Sequence, residues 1–191
     1  MSQFDDQATA NGRLPLASDE AMHPILVGAA AKLPPINVFR ALANAPSLAQ
    51  DFMQYFARLF EPLELDARTA RSIVLLTGKL SACEYVWRQN VVVARSLGVT
   101  TEQIAALQRG HRHAPCFSAA QRAAFEFAQE AIELVQVGDA AYESAARYFS
   151  PRALTEILYV VGSYMFLSRL IRSGGVPLDE HPAEVPAGFL Q

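Results

Sequence analysis

The stretch LDARTARSIVLLTGKLSACEYVWRQNVVVARSLG, from Leu65 to Gly98, decides the fold. Asp66 carries a side-chain acceptor where a helix running to about Leu80 needs a cap. Ser81-Ala-Cys-Glu84 has capping-box spacing, with a hydroxyl and a carboxylate three residues apart to satisfy each other's backbone N–H groups. It opens a second helix, which Gly98 can end. Apolar residues recur three and four apart, and nothing here alternates with period two. The segment Ile73-Val-Leu-Leu76 reads as buried on all sides.

The same punctuation continues outward. Upstream, Pro34-Pro35 precede a short helix over Ile36 to Leu42, and Ser47-Leu-Ala-Gln50 is a capping box for a helix to about Phe60. Downstream, Thr100-Thr-Glu-Gln103 and Ser118-Ala-Ala-Gln121 are further boxes, followed by Gly110 and Gly138. Asp139 can cap a short helix to about Phe149, and Ser150-Pro151 is an N-cap followed by proline at the first helical position. That last helix runs to Gly174-Gly175, and its uncharged stretch Ile157 to Leu167 also reads as buried nearly all round. Gly78 and Gly162 inside these two apolar helices each lose about 1 kcal/mol against alanine, so close helix contact is expected at both. The class is therefore all-α, about eight helices around two buried ones. Residues 1–23 read as an N-terminal arm, 24–176 as the helical domain, and 177–191, with Pro177, Pro182 and Pro186, as a proline-rich tail.

Composition narrows the function. The 191 residues are 51% hydrophobic and 18% charged, which fits a globular chain rather than a disordered one. Sixteen Lys plus Arg against nineteen Asp plus Glu leave a net charge of −3, so a nucleic-acid partner is not expected. Two cysteines form no disulfide framework and read as intracellular thiols. No secretory signal pattern opens the chain, and the stretch between Glu156 and Arg169 is too short to span a bilayer. A cytoplasmic protein without a membrane partner is the expectation. There is no phosphate-binding glycine pattern, catalytic-triad order or H-E-x-x-H helix, and no cofactor is expected.

Chemistry concentrates around Cys83. The capping box puts it at the second helical position, where free N–H groups and the helix dipole favour a thiolate. Cys83, Val86, Trp87, Asn90 and Ala94 share one helix face, while Glu84 and Arg88 suit an i,i+4 surface pair. A thiol, an indole and an amide on one face line a small polar pocket, or they are core with Asn90 bonded to backbone. Both readings stand at this level.

Leu65-Asp66, Ile73-Val-Leu-Leu76, Cys83-Glu-Tyr-x-Trp87, Ala94-Arg95-x-x-Gly98 and Ile104-Ala-Ala-Leu107 resemble the carboxymuconolactone decarboxylase family, which shares its core with the alkylhydroperoxidase AhpD. Weaker resemblance extends to Pro46-Ser-Leu-Ala49 and Gly162-Ser-Tyr164. It implies an AhpD-like helical fold, a homo-oligomer (dimer, trimer or hexamer) and a small-molecule substrate. It also implies a pocket in which Cys83 acts, with Arg71, Tyr85, Trp87, Asn90 and Tyr164 around the substrate.

Departures from the family's pattern are equally informative. The AhpD-type redox core resembles a glutamate, C-x-x-C and a histidine at positions that here hold Arg71, Cys83 with Val86, and Asn90. Decarboxylase-type members resemble Cys-Glu-Tyr-Glu-Trp with the same histidine. Only the first thiol survives, without a local resolving thiol or a base at position 90. Asn90 can hold a carbonyl but cannot shuttle a proton. Arg71 either enters the pocket, where a guanidinium suits a carboxylate, or is solvated or paired at a helix start.

Three function classes follow. One is a decarboxylase, lyase or isomerase of a small organic acid or lactone, with its proton donor unassigned. The second is a peroxidase with peroxiredoxin-like antioxidant activity, using Cys83 with a resolving thiol from outside or from Cys116. The third is a non-catalytic binding or scaffold oligomer. His111, His113 and Cys116 form a weak alternative metal set; solvated histidines and a packed cysteine are the plainer reading. His23 and His181 carry no motif. Tyr159 shares the last helix with Tyr164, and Phe52, Tyr55, Phe56 and Phe60 recur at helical spacing, as core or interface aromatics do.

Overall fold

The computed structural model describes residues 12–181, and among them there are nine α-helices and no strand. The described chain forms two compact units.

The first unit comprises residues 12–62 and 166–181. It contains α1 (Asp19–Met22), a 3-10 turn (Gly28–Lys32), α2 (Asn37–Leu42), α3 (Pro46–Arg58) and the end of α9 (Pro151–Gly174). Pro46 takes the first helical position of α3, so the helix starts one residue before the expected Ser47 box, and Ala45 caps it without a side-chain bond. Phe52 stacks on Phe56 within α3 at 5.5 Å, Phe60 just past the helix end meets Phe56 edge-on at 5.5 Å, and Phe39 of α2 meets it edge-on at 5.7 Å. Phe39 and Phe56 are core, whereas Phe52, Tyr55 and Phe60 are half-buried. The described part of the N-terminal arm is tied down: Arg13 and Leu14 donate to Gly174 O at 2.7 and 3.0 Å, and Met22 and Ile25 are buried. From the other end, Asp179 Oδ1 accepts from Asn37 N at 2.9 Å and so caps α2. Residues 1–11 of the arm, and 182–191 of the tail with Pro182 and Pro186, lie outside the described residues.

The second unit is contiguous, residues 63–165. It holds α4 (Ala67–Leu80), α5 (Glu84–Ser96), α6 (Thr101–Gln108), α7 (Ala119–Glu133), α8 (Asp139–Ala146) and α9 up to residue 165. Helix α4 is its centre, buried continuously from Arg71 to Gly78 and packed against α5, α6 and α7. Asp66 caps α4 through Thr69 N at 2.9 Å, and the boxes at Thr100 and Ser118 form in both directions. Ser150 accepts from Ala153 N at 3.2 Å, ahead of Pro151.

Further expectations need correction. The Ser81 box does not form: α4 runs through Leu80, Ser81 is its C-cap, and Cys83 is the N-cap of α5 rather than its second residue. Helix α7 stops at Glu133, short of Gly138, with Val135 in left-handed backbone, and Gly138 rather than Asp139 caps α8. Helix α9 is not buried all round. Its buried positions Ala153, Leu154, Ile157, Val160, Val161 and Tyr164 recur three and four apart, while Leu158 (46% exposed) and Tyr159 (54%) face out. By length and composition α9 would pass for a membrane span, and 56% of its apolar window is buried, as in a core helix.

The two glycines differ accordingly. A Cβ on Gly78 would lie 3.0 Å from Val86 Cγ1 and 3.2 Å from Trp87 N, so this glycine lets α4 and α5 touch. Gly162 has nothing within 4 Å and permits no close contact here.

Candidate functional site

Arg71 lies one turn into α4 and is 6% exposed. The solvated alternative is therefore excluded. Its Nη1 donates to Asn90 Oδ1 on α5 at 2.6 Å and to the Tyr164 hydroxyl on α9 at 2.8 Å. The guanidinium carbon stands 5.9 Å from the Tyr164 ring centroid. Tyr164 in turn donates to Asn90 Oδ1 at 3.3 Å. Asn90 Nδ2 donates to Val86 O at 2.8 Å, which fixes the amide with its oxygen toward the guanidinium. Three helices thus converge on one buried polar cluster, where such bonds are strong and costly to leave unmade.

The first turn of α5 completes the site. Cys83 is fully buried, at 0% exposure, and sits at the N-terminal end of the helix, where the dipole favours negative charge. Tyr85, Val86 and Trp87 are buried beside it. Glu84 and Arg88 form the expected surface pair at 2.6 Å. Below the site, Glu156 of α9 is a buried carboxylate that sequence reading passed over. Its Oε2 accepts from Leu65 N at 2.8 Å and its Oε1 from Arg152 Nε at 3.0 Å, tying the entry of α4 to α9. Burial alone would raise this carboxyl, but the Leu65 N–H, Arg152 and the Glu64 N–H outweigh it and hold it below its ordinary value. A lone acid at the edge of an apolar helix was the available signal.

The His111 loop is separate chemistry. His113 Nε2 lies 3.2 Å from Glu126 Oε2, and Gln103 Nε2 donates to Cys116 O at 2.9 Å. Burial pushes the Cys116 thiol up, with the Glu102 charge acting in the same sense. Among the described residues no three His, Cys, Asp or Glu side chains gather around a common metal position, so His111, His113 and Cys116 do not form the alternative set. His113 also borders a groove of about 370 Å³ between α7 and α8. Its charged groups bond within the protein: Arg122 with Phe117 O, Glu130 with Gly138 N, and Glu126 with His113.

This arrangement of helices has parallels among known proteins. Residues 46–130 match the carboxymuconolactone decarboxylase family. Over that segment, 85 of the 191 residues, the chain is similar to the family, and Arg71, Cys83 and Asn90 all fall inside it. Among curated proteins none matches the sequence significantly. Solved structures establish the same fold. The debrominase Bmp8 superposes with a TM-score of 0.76 at 18% identity, covering 91% of this chain and 96% of its own. A peroxidase-related protein from Silicibacter sp. TM1040 gives 0.73 at 21%, covering 92% and 93%. Another from Ralstonia eutropha JMP134, described as an alkylhydroperoxidase AhpD core, gives 0.73 at 19%, covering 94% of each chain.

Proposed function

We propose that this protein is an enzyme acting on a small organic acid or lactone by decarboxylase, lyase or isomerase chemistry. The observation that carries the reading is the buried Arg71 guanidinium, whose Nη1 bonds two neutral oxygens, Asn90 Oδ1 and the Tyr164 hydroxyl. A substrate carboxylate or lactone carbonyl would form stronger, charge-assisted bonds to it. In this reading Arg71 anchors the substrate, Asn90 orients it, and Tyr85 and Trp87 provide apolar walls. Within the three-residue cluster only Tyr164 has a proton to give, since the guanidinium stays charged and an amide does not titrate. Turnover of a lactone or β-keto acid tests the reading, with wild type, Arg71→Ala and the charge-conserving Arg71→Lys compared at matched folded fraction. Loss in Arg71→Ala supports it; turnover that survives Arg71→Ala sinks it.

Two other readings have an observation each. A Cys83-dependent peroxidase is supported by a thiol at a helix N-terminus and by the peroxidase-related structures that share the fold. The debrominase of this fold is also known as a cysteine-to-alanine variant bound to 2,3,4-tribromopyrrole. Here Cys83 would attack the peroxide, release an alcohol and become a sulfenic acid, which an external thiol reduces. Peroxide consumption unchanged by Cys83→Ser would reject it. A non-catalytic binding or scaffold protein is supported by the burial of Arg71 and Cys83. Arg71-dependent ligand binding without turnover would favour it.

We further propose that the chain self-associates. The exposed apolar residues Leu158 and Tyr159 support this, and a monomeric mass in solution would reject it.

A further inference from the structure

Helix ends in this protein repeat one device. Past the last turn, a residue takes left-handed backbone and the following N–H groups fold back onto the helix. After α5 that residue is Gly98 (φ 80°), with Gly98 N bonded to Arg95 O at 3.0 Å and Val99 N to Ala94 O at 2.9 Å. After α6 it is Gly110 (φ 78°), with Gly110 N to Leu107 O at 3.0 Å and His111 N to Ala106 O at 2.8 Å. After α9 it is Gly175 (φ 59°), with Val176 N to Ile171 O at 3.0 Å. After α4 the same bonds run from Ala82 N to Lys79 O at 3.1 Å and from Cys83 N to Gly78 O at 2.9 Å. There the left-handed residue is Ala82, with φ 47°. Its Cβ is held against a steric penalty that the three glycines escape. The other non-glycine with positive φ among the described residues, Val135, sits on open surface at 88% exposure. Ala82 directly precedes a cysteine with none.

We propose that residues 81–83 form a strained hinge whose opening gives access to Cys83, with Ala82 the positioning residue that acts through it. Closed, the turn holds the thiol out of reach of any reagent. When Ala82 leaves the left-handed region, the Ala82 and Cys83 N–H bonds to α4 break and the first turn of α5 is released. The relieved strain offsets part of what opening requires, so the thiol is reached without unfolding the unit. Strained backbone at a functional position is a recognised way to poise such a change. The importance of the hinge rests on Cys83 being the acting thiol, but its test needs no turnover.

The test is alkylation of Cys83 by iodoacetamide in the folded chain, on a Cys116→Ser background, with urea unfolding measured in parallel. Wild-type labelling is expected to be far slower than for an unfolded thiol, yet insensitive to low urea, as local opening requires. Ala82→Gly removes the strain and is expected to slow labelling about threefold while raising the urea midpoint. Ala82→Asn, which tolerates this backbone, is expected to slow it less. Labelling at the unfolded-thiol rate, labelling that tracks global unfolding, or a rate unchanged or raised in Ala82→Gly would each overturn the hinge. Should Ala82→Gly fail to fold, the comparison with Ala82→Asn decides in the same sense.

Discussion

Replacing Gly78 by alanine tests the contact on which the site is built. Two effects oppose each other. Alanine is favoured over glycine inside a helix by about 1 kcal/mol. Against this, the new methyl would lie 3.0 Å from Val86 Cγ1, 3.4 Å from Val86 Cβ and 3.2 Å from Trp87 N. The Val86 methyl can rotate away. Trp87 N cannot, because it is backbone bonded to Cys83 O at 3.1 Å within the first turn of α5. The turn must therefore shift by a few tenths of an ångström, and overpacking of this kind costs about 1–3 kcal/mol. We expect Gly78→Ala to be destabilising on balance, by up to ~2 kcal/mol, with the shift transmitted to Asn90 one turn further along. Urea unfolding measures the first effect. Emission from Trp87, the single tryptophan of the chain, measures the second at the site itself. A Gly78→Ala chain that gains about 1 kcal/mol with unchanged Trp87 emission would show that α4 and α5 do not touch as described.

Two further outcomes follow from the polar groups. Tyr164→Phe leaves Arg71 Nη1 and Asn90 Oδ1 each short of a partner in a buried setting, and should lower stability by about 1–3 kcal/mol, read as a fall in Tm; an unchanged Tm would mean the hydroxyl is not part of the cluster. Glu156 is held below its ordinary value of 4.5, so its charged form stabilises the fold above that pH, and the contribution is lost as pH falls through the lower folded value. The stability gap between wild type and Glu156→Gln should therefore be widest near neutrality and close in acid, with Arg152, itself 3.9 Å from a Glu64 oxygen, the charged group facing it; a gap constant from pH 7 to about pH 3 would contradict the sign.

Much of the second unit was legible in the sequence because its signals are local. Asp66, Thr100, Ser118 and Ser150 sit beside the N–H groups they cap, and a capping pattern is complete within four residues. The same locality explains the failure at Ser81. Ser-x-x-Glu spacing does not reveal that the preceding helix has not yet ended, and α4 uses Ser81 before α5 can. The cysteine, indole and amide were legible as one buried face of α5. The inward direction of Arg71 was not, since the residues that settle it are 19 and 93 positions away. Glu156 lay hidden for a similar reason, its N–H partner Leu65 being 91 positions distant. The uncharged stretch of α9 misled because composition does not distinguish a residue facing the core from one facing out.

The way the chain is divided also sets an order of events during synthesis. The unit that holds the site is one uninterrupted segment, so every hydrogen bond within it, including Arg71 to Tyr164, has both partners once residue 165 has left the ribosome. The other unit is assembled from the two ends of the chain. Arg13 and Leu14 are made early and wait for the carbonyl of Gly174, and α2 waits for Asp179 to cap it. Residues 12–62 hold contacts of their own, Phe39 against Phe56 among them, but their bonds to Gly174 and Asp179 wait until those residues are made. A chain broken off near residue 165 would carry the whole constellation of the site while leaving Arg13, Leu14 and Asn37 without these later partners.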